Sequence, residues 1–582
     1  MSSIRSSVVR AAWFWPLVAT LIASLPCLFV GFSHDDLTHR LMLEGELPGF
    51  DWYALYDFTP PAAPASLQIE RGSLPWFTNP EISLRFLRPV ASATLALDDS
   101  LFGRAALPAH VHSLLWLALL VSLVALLYRR WFEAPAASVS AIVFALSGVH
   151  AMPTAWLASR HTLVAATFGV LALWGWIRFR EQGSRLAAAL ALAALVLSLL
   201  SSESGLVAVA LLVSFELGTR GWRSGARGAV LPLGVAVLYL AFYVLAGYGA
   251  HGSAFYVSPF SAPVAYAKAA VLGVPALVVE LLLGLPSAVS GLGGSAALLS
   301  FAVLGLVAAA GAAALLHLPW TEIGAGSRRH LLWLALGSLV GLFALVGAPV
   351  TGRVLPLPLL GGAALVGHVL CALWQRARQR KSYWATLALL GLLHLALAPL
   401  VRLGVALEFR KSANALHRMA LEADVGACAE RGSLQLLTGA DPVIALYTAP
   451  ALRFHAPEKA GADFFRVLSM APQAQQLTRT RETGFELAVM QRPRGGNIFE
   501  QLFRDADDPL RVGQRVLLPE LAVSVSETSA GLFTRIHFEQ LSSLEVSAVC
   551  FMVWRAGRLQ ALPMPAIGQS VRIEHEPGPM GL

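Results

Sequence analysis

Long apolar stretches recur along this chain, and they limit its possible folds more than any other feature. A helix that crosses the hydrocarbon core of a bilayer needs about 20 mostly apolar residues. About eleven stretches approach that length: 11–32, 107–128, 136–153, 155–177, 186–201, 204–218, 228–248, 294–318, 330–348, 354–374 and 383–403. Of the 582 residues, 56% are hydrophobic and only 13% are charged. The sequence therefore predicts a polytopic α-helical membrane protein.

Basic residues are concentrated in alternate loops, which gives the chain an orientation. One set of loops contains Arg5, Arg10, Arg129, Arg130, Arg178, Arg180, Arg185, Arg220, Arg223, Arg227, Arg328, Arg329, Arg376, Arg378, Arg380 and Lys381. The short loops between them carry almost no basic residue apart from Arg353. Because loops rich in Arg and Lys stay in the cytoplasm, we expect a cytoplasmic N-terminus. The net charge of +8 follows from this bias, so we expect no nucleic-acid partner.

One further apolar segment, 263–286, is interrupted by Pro275 and Pro286. If it crossed the membrane completely, every later loop would change sides and the basic-loop pattern would break. We therefore expect a re-entrant segment, a segment along the outer face, or two short crossings. Residues 1–403 then form the transmembrane domain, and residues 404–582 lie outside the cytoplasm.

Residues 404–582 have a different character, because charged residues become frequent and apolar runs shorten to strand length. An amphipathic helix is expected around 407–425. Strands are predicted at 443–447, 485–490, 515–518, 521–525, 532–538 and 546–554. The pattern indicates a β-rich α+β domain, in which Cys428 and Cys550 could form a disulfide if the compartment is oxidising.

The first outer loop, 33–106, is long and contains many prolines and aromatic residues. Such residues favour the membrane–water interface. We expect residues 82–102 to form a short helix at that interface.

Two adjacent acids, Asp35 and Asp36, directly follow the first apolar helix. A solvated pair, or an N-cap for the next helix, is the ordinary explanation. A carboxylate can also take the proton of an attacking hydroxyl group, as a general base. A pair of carboxylates could instead bind a divalent cation.

The outer loops also carry cations that suit a phosphate group, since guanidinium forms two parallel hydrogen bonds with it. These are Arg88, Arg160 and Arg353. Ordinary alternatives are contact with lipid phosphate for Arg88, and an ion pair with Glu203 or an aspartate for Arg160. We interpret Asp98 and Asp99 as solvated or helix-capping groups.

Further polar residues at the same face are His110, His150 and Glu203. Each is ordinary alone, but their convergence at one end of nearly uncharged helices indicates a site. His110 and His112 point to different helix faces, so a shared metal site is not expected.

The order of these motifs resembles the GT-C superfamily of membrane glycosyltransferases. It consists of the acidic pair, Arg88-Pro89 before Leu101-Phe102-Gly103, His110, then His150, Trp156 and Ser159-Arg160, then Ser202-Glu203, and finally Arg353. It is most similar to the tetratricopeptide-linked O-mannosyltransferases and their bacterial relatives. More distant similarity is to protein mannosyltransferases and aminoarabinose transferases. The resemblance covers roughly residues 10–400, and the tetratricopeptide repeats are absent.

The resemblance implies that the acidic pair supplies the catalytic base, with Asp35 as its first acid. It implies that Arg88, Arg160 and Arg353 bind the phosphate of a polyprenyl-phosphate sugar. Neither a cofactor nor a metal is predicted, although a divalent metal is possible.

We therefore expect a glycosyltransferase of hexosyl or mannosyl type in a bacterial cytoplasmic (inner) membrane. Its partners would be a polyprenyl-phosphate sugar donor, membrane lipids, and a protein, glycan or lipid acceptor. The alternative is a non-catalytic scaffold or lipid-glycan carrier descended from such an enzyme.

Overall fold

The structure is a computed structural model that describes residues 14–292, 294–317, 320, 323–425, 433–460, 464–490, 499–505, 507–529, 531–544 and 549–581. Its helices are α1 (Phe14–Phe29), α2 (Asp35–Leu43), α3 (Ala65–Arg71), α4 (Pro89–Phe102), α5 (Ala106–Trp131), α6 (Ala134–Leu146), α7 (Ala151–Ala155), α8 (His161–Gln182), α9 (Arg185–Leu199), α10 (Leu206–Arg220), α11 (Trp222–Leu245), α12 (Pro263–Leu283), α13 (Val289–Leu292), α14 (Gly294–His317), α15 (Ala325–Leu342), α16 (Leu359–Ala377), α17 (Tyr383–Gly391), α18 (Ala398–Glu422) and α19 (Pro442–His455). Its strands are β1 (Ser83–Arg85), β2 (Gly249–His251), β3 (Ser433–Thr438), β4 (Phe464–Val467), β5 (Gln475–Arg479), β6 (Gly484–Val489), β7 (Arg515–Leu517), β8 (Leu521–Ser529), β9 (Leu532–Gln540), β10 (Val549–Arg555), β11 (Arg558–Ala561) and β12 (Ser570–Ile573).

Every predicted span overlaps a helix of the structure. These helices are α1, α5, α6, α8, α9, α10, α11, α14, α15, α16 and α17. In the described part of the chain, eight helices are long and apolar enough to cross a membrane, and two more apolar helices are shorter. The prediction of a polytopic helical membrane protein with a C-terminal β-rich α+β domain is confirmed.

The segment 263–286 contains the single helix α12, which has Pro275 inside it and is long enough to cross a membrane. Its C-terminal end packs beside the turn that carries Arg353. A Cβ atom added at Gly352 would overlap the Glu280 carboxylate.

The first outer loop is well structured rather than a simple connection. It contains α2, α3, β1 and α4, and β1 pairs antiparallel with β2. The predicted helix over 82–102 is therefore too long at its N-terminal end. Pro89 explains this difference, because proline is favoured in the first turn of a helix and disfavours helix in the residue before it.

The C-terminal domain contains two sheets. The four-stranded sheet has the order β11-β10-β3-β4, in which β3 runs parallel to both of its neighbours. The six-stranded sheet is antiparallel, with the order β12-β5-β6-β9-β8-β7.

The predicted strand over 443–447 is wrong, because these residues belong to helix α19. Pro442 occupies the first turn of this helix, and the Asp441 side chain accepts a hydrogen bond from the Val443 backbone amide. This Asp-Pro pair is a helix start signal that outweighs the short apolar run. Cys550 is disulfide-bonded, whereas Cys428, Arg5 and Arg10 lie outside the described residues.

The first outer loop and the C-terminal domain share one hydrophobic core. Trp76 packs against Phe533 and Phe538 and donates a hydrogen bond of 2.9 Å to the Leu468 carbonyl. The buried Arg466 donates to the Ile69 carbonyl at 2.7 Å. These two parts of the chain therefore lie at the same end of the helix bundle.

Candidate active site

The acidic pair begins helix α2, at the point where the chain leaves the apolar helix α1. His34, just before the pair, has a φ of 52°, which is uncommon for a residue with a side chain. Its Nδ1 lies 2.6 Å from the Ser33 hydroxyl. Non-glycine residues in this conformation are strained, and such strain is frequent at functional sites.

Asp36 has both carboxylate oxygens occupied by backbone amides. The Ser33 amide donates to Oδ2 at 3.1 Å, and the Ala158 amide donates to Oδ1 at 2.7 Å. The side chain is buried, and this burial raises the pKa of Asp36 to about 7, although both amides oppose the shift. Asp36 therefore joins the first outer loop to the turn between α7 and α8.

Asp35 is half-buried. Its Oδ1 accepts a hydrogen bond of 2.6 Å from the Tyr447 hydroxyl group. Within the described residues, no donor bonds to Oδ2. Burial raises the pKa of Asp35, and the Tyr447 hydrogen bond and the charge of Arg353 oppose that rise. Among the described residues, Asp35 therefore has one oxygen with no donor, whereas each oxygen of Asp36 already accepts a hydrogen bond.

Arg353 supplies a cation close enough to affect the Asp35 carboxylate. Its guanidinium carbon lies 5.6 Å from the centre of the Trp156 ring. Across the described ranges of the chain, no carboxylate forms an ion pair with Arg353. This half-buried guanidinium can therefore receive an anionic group from outside the protein.

Aromatic rings form the wall of the site around His34. The ring centre of His34 lies 5.3 Å from that of Tyr447, 5.5 Å from Phe409 and 6.1 Å from Trp156. All three contacts are edge-to-face. These rings come from α18, α19 and the turn before α8, so both domains contribute to the wall.

Arg88 lies in a second polar cluster, where its guanidinium is paired. Its Nη2 lies 2.7 Å from Glu203 Oε2, and its Nη1 lies 3.2 Å from His161 Nε2. The same guanidinium lies over the rings of Tyr56 and Phe86. Arg88, which the sequence predicts as a phosphate ligand, is therefore paired with Glu203 in the structure.

Arg160 is fully buried, and its nitrogen atoms bond to protein groups. Its Nη1 lies 2.5 Å from Asp98 Oδ2, its Nε donates to Ser113 Oγ, and its Nη2 donates to the Ala109 carbonyl. Asp98 also accepts from His112 Nδ1 at 2.6 Å if that nitrogen is protonated. The interpretation of Asp98 as a solvated or capping group is thus wrong, because its carboxylate is buried and paired with Arg160.

The predicted supporting histidines bond to backbone carbonyls. His110 Nε2 lies 3.0 Å from the Gly31 oxygen, and His150 Nε2 lies 3.0 Å from the Phe144 oxygen. Both rings are fully buried. The structure brings together Asp35, Asp36 and Arg353, and it pairs Arg88 with Glu203.

Tyr56 connects the two polar clusters. Its hydroxyl group donates to the Ala158 carbonyl at 2.7 Å, and the Ala158 amide bonds to Asp36. Neither Tyr56 nor Tyr447 is among the site residues predicted from the sequence. The Asp441-Pro442 helix start could have located Tyr447 on a helix, but nothing in the sequence indicated that it reaches Asp35.

Within the described residues, no group of three or more His, Cys, Asp or Glu side chains could hold a metal ion. Both oxygens of Asp36 are already occupied.

Comparisons with known proteins return solved structures alone, since no family model and no curated protein matches the chain. The oligosaccharyltransferase of Archaeoglobus fulgidus tethered with an acceptor peptide has 12% identity and a TM-score of 0.42, over 78% of this chain and 64% of that chain. The oligosaccharyltransferase AglB of that organism, with an inhibitory peptide and dolichol-phosphate, has 13% identity and a TM-score of 0.40, over 75% and 64%. ArnT from Cupriavidus metallidurans, bound to undecaprenyl phosphate, has 17% identity and a TM-score of 0.38, over 78% and 90%.

The chain thus spans 64% of the length of the oligosaccharyltransferase. These similarities are low, so the function proposed below is argued from the residues of this chain.

Proposed function

We propose that the protein transfers a sugar from a polyprenyl-phosphate donor to an acceptor hydroxyl group, with Asp35 as general base. One observation carries the proposal. A half-buried carboxylate with a free oxygen lies near a guanidinium that has no acidic partner among the described residues. A general base and a phosphate-binding cation are the two groups that this reaction needs most.

The proposed reaction exchanges one bond at the anomeric carbon for another and moves one proton. The acceptor oxygen attacks the anomeric carbon of the sugar, and Oδ2 of Asp35 takes the hydroxyl proton. The bond from the anomeric carbon to the phosphate oxygen breaks, and polyprenyl monophosphate leaves. Attack from the face opposite the leaving group inverts the anomeric configuration. The charge of Arg353 stabilises the leaving phosphate.

Asp36 has a different part in this proposal. Its two amide bonds fix the start of α2 against the turn that precedes α8. Asp36 therefore holds Asp35 and the neighbouring Trp156 in position. The buried Arg160 and the paired Arg88 have supporting roles, and Arg353 is the donor ligand.

The donor carries a lipid tail, which suits a site at the end of a membrane helix bundle. We place the reaction on the outer face of a bacterial cytoplasmic membrane, where a lipid-linked sugar replaces nucleotide sugars. The predicted donor sugar is a hexose such as mannose. The acceptor is a protein, glycan or lipid that reaches the site between the first outer loop and the C-terminal domain.

The test is sugar transfer in proteoliposomes that contain the purified protein and radiolabelled polyprenyl-phosphate sugars. We expect Asp35→Asn to lower the transfer rate by about 10²- to 10⁴-fold, the typical contribution of a general base. We expect Arg353→Gln to weaken binding of undecaprenyl phosphate, measured by quenching of tryptophan fluorescence. The matched control is Glu181→Gln, whose exposed carboxylate pairs with Arg130 at the far end of α5.

Three outcomes separate the alternatives. Transfer by wild-type protein that survives Asp35→Asn contradicts the assignment of the base. Binding of undecaprenyl phosphate without transfer of any tested sugar favours a lipid-glycan carrier. Absence of both undecaprenyl phosphate binding and sugar transfer favours a non-catalytic scaffold.

A further inference from the structure

We infer that Tyr447 of the C-terminal domain is a positioning residue of the candidate active site, which orients the Asp35 carboxylate for proton transfer. The inference rests on the proposed function and extends it to a residue outside the membrane domain. It makes the docked C-terminal domain a necessary part of the site.

The geometry of the contact carries the inference. The Tyr447 hydroxyl group donates to Asp35 Oδ1 at 2.6 Å, across 412 positions of sequence. A short hydrogen bond to a charged acceptor is stronger than one between neutral groups. The hydrogen bond from Tyr447 therefore restricts rotation of the Asp35 carboxylate, and Oδ2 is the oxygen that does not bond to the phenol.

Helix α19, which carries Tyr447, is held against the membrane domain at its far end. The Phe454 ring contacts the Phe32 ring edge-to-face at 5.6 Å. Arg104 lies over the Phe454 ring and donates to the Phe454 carbonyl at 2.8 Å. These contacts set the position of α19 independently of the Asp35 hydrogen bond, so removal of the phenol oxygen alone should leave the helix docked.

The surroundings of Asp35 make the effect of the phenol measurable. The charged or titratable groups near this carboxylate are His34, Asp36, Tyr56, Arg353 and Tyr447. Tyr447 and Arg353 stabilise the ionised form, and burial opposes it. Loss of the phenol hydrogen bond therefore raises the pH at which Asp35 loses its proton.

The experiment compares wild-type protein with Tyr447→Phe by two measurements. Infrared titration of the full-length protein in lipid, with Asp35→Asn as the subtracted reference, reports the ionisation of Asp35 without any substrate. We expect its midpoint to move to higher pH in Tyr447→Phe. In the transfer assay, we expect kcat to fall roughly ten- to a hundredfold, the loss of one hydrogen bond to a charged group. The acid limb of the pH profile should move in the same direction.

The matched control is Tyr128→Phe. The Tyr128 hydroxyl group also makes a hydrogen bond of 2.6 Å, but to the Leu360 carbonyl. The Tyr128→Phe substitution should change neither the midpoint of Asp35 ionisation nor the pH profile of sugar transfer. An unchanged Asp35 midpoint in Tyr447→Phe would overturn the inference.

A further variant covers the case in which Tyr447→Phe does not fold. Incorporation of 3-fluorotyrosine at position 447 keeps the shape and strengthens the donor, so the Asp35 midpoint should move to lower pH. Failure of wild-type transfer contradicts the proposed function, while the infrared result still decides the role of Tyr447. Normal transfer with an unshifted midpoint contradicts only the role of Tyr447.

Discussion

The buried pair between Arg160 and Asp98 allows a direct test of what holds the outer end of the bundle together. The two side chains are only 1% and 2% exposed, and their closest atoms are 2.5 Å apart. Asp98→Asn keeps the size of the side chain and removes its charge. The Arg160 guanidinium then stays buried beside uncharged acceptors, which are Ser113 Oγ, the carbonyls of Ala109 and Thr94, and the amide oxygen at position 98.

The expected loss of stability is large because a buried charge loses its counter-charge. Removal of one partner of a buried ion pair costs about 3 to 5 kcal/mol. The comparison is Glu181→Gln, which breaks the pair between Arg130 and Glu181. Those side chains are 41% and 44% exposed, and such surface pairs contribute about 1 kcal/mol or less.

The measurement is the free energy of unfolding in mixed detergent micelles, followed by tryptophan fluorescence. Asp98→Asn should lose several times more stability than Glu181→Gln. A loss below about 1 kcal/mol for Asp98→Asn would refute the reasoning. It would mean that Arg160 finds another anion, and the prediction of Arg160 as a donor-phosphate ligand would gain support.

Two further predictions concern pH and helix packing. Because burial raises the pKa of Asp36 from 3.8 to about 7, the folded protein binds more protons than the unfolded protein between about pH 4 and pH 7. Stability should therefore decrease as pH rises through this window, and this slope should be smaller in Asp36→Asn, as measured by unfolding at several pH values. Gly305→Ala should destabilise the contact of α14 with α12 by about 1 to 3 kcal/mol, because its Cβ would lie 1.8 Å from the Pro275 oxygen. Gly311→Ala on the same helix meets nothing within 4 Å and should be neutral or slightly stabilising in the same unfolding assay.

The membrane helices could be predicted because hydrophobic length is a local property of the sequence. The strands β6, β7, β8 and β9 follow the predicted positions closely for a similar reason, since alternation and turn residues are local signals. Residues 443–447 are an exception, because this apolar run of strand length belongs to a helix whose start is capped by Asp441.

The pairing of charges could not be predicted, because it depends on distances across the fold. The sequence left Glu203 and the aspartates open as partners of Arg160. In the structure the partner is Asp98, 62 residues away along the chain. Likewise, the hydrogen bond between Asp35 and Tyr447 joins residues whose elements are predicted separately. The acidic pair was visible in the sequence, but the difference between its two members depends on which oxygens the backbone occupies.

The shared core of the first outer loop and the C-terminal domain has a consequence for biosynthesis. Trp76 leaves the ribosome 392 residues before Leu468, to which it donates its hydrogen bond. At about 5 to 20 residues per second, this delay lasts roughly 20 to 80 s. During that time the loop exposes an apolar surface whose partner strands do not yet exist. A nascent chain stalled before residue 433 should therefore present this loop to chaperones and proteases on the side of the membrane where it emerges.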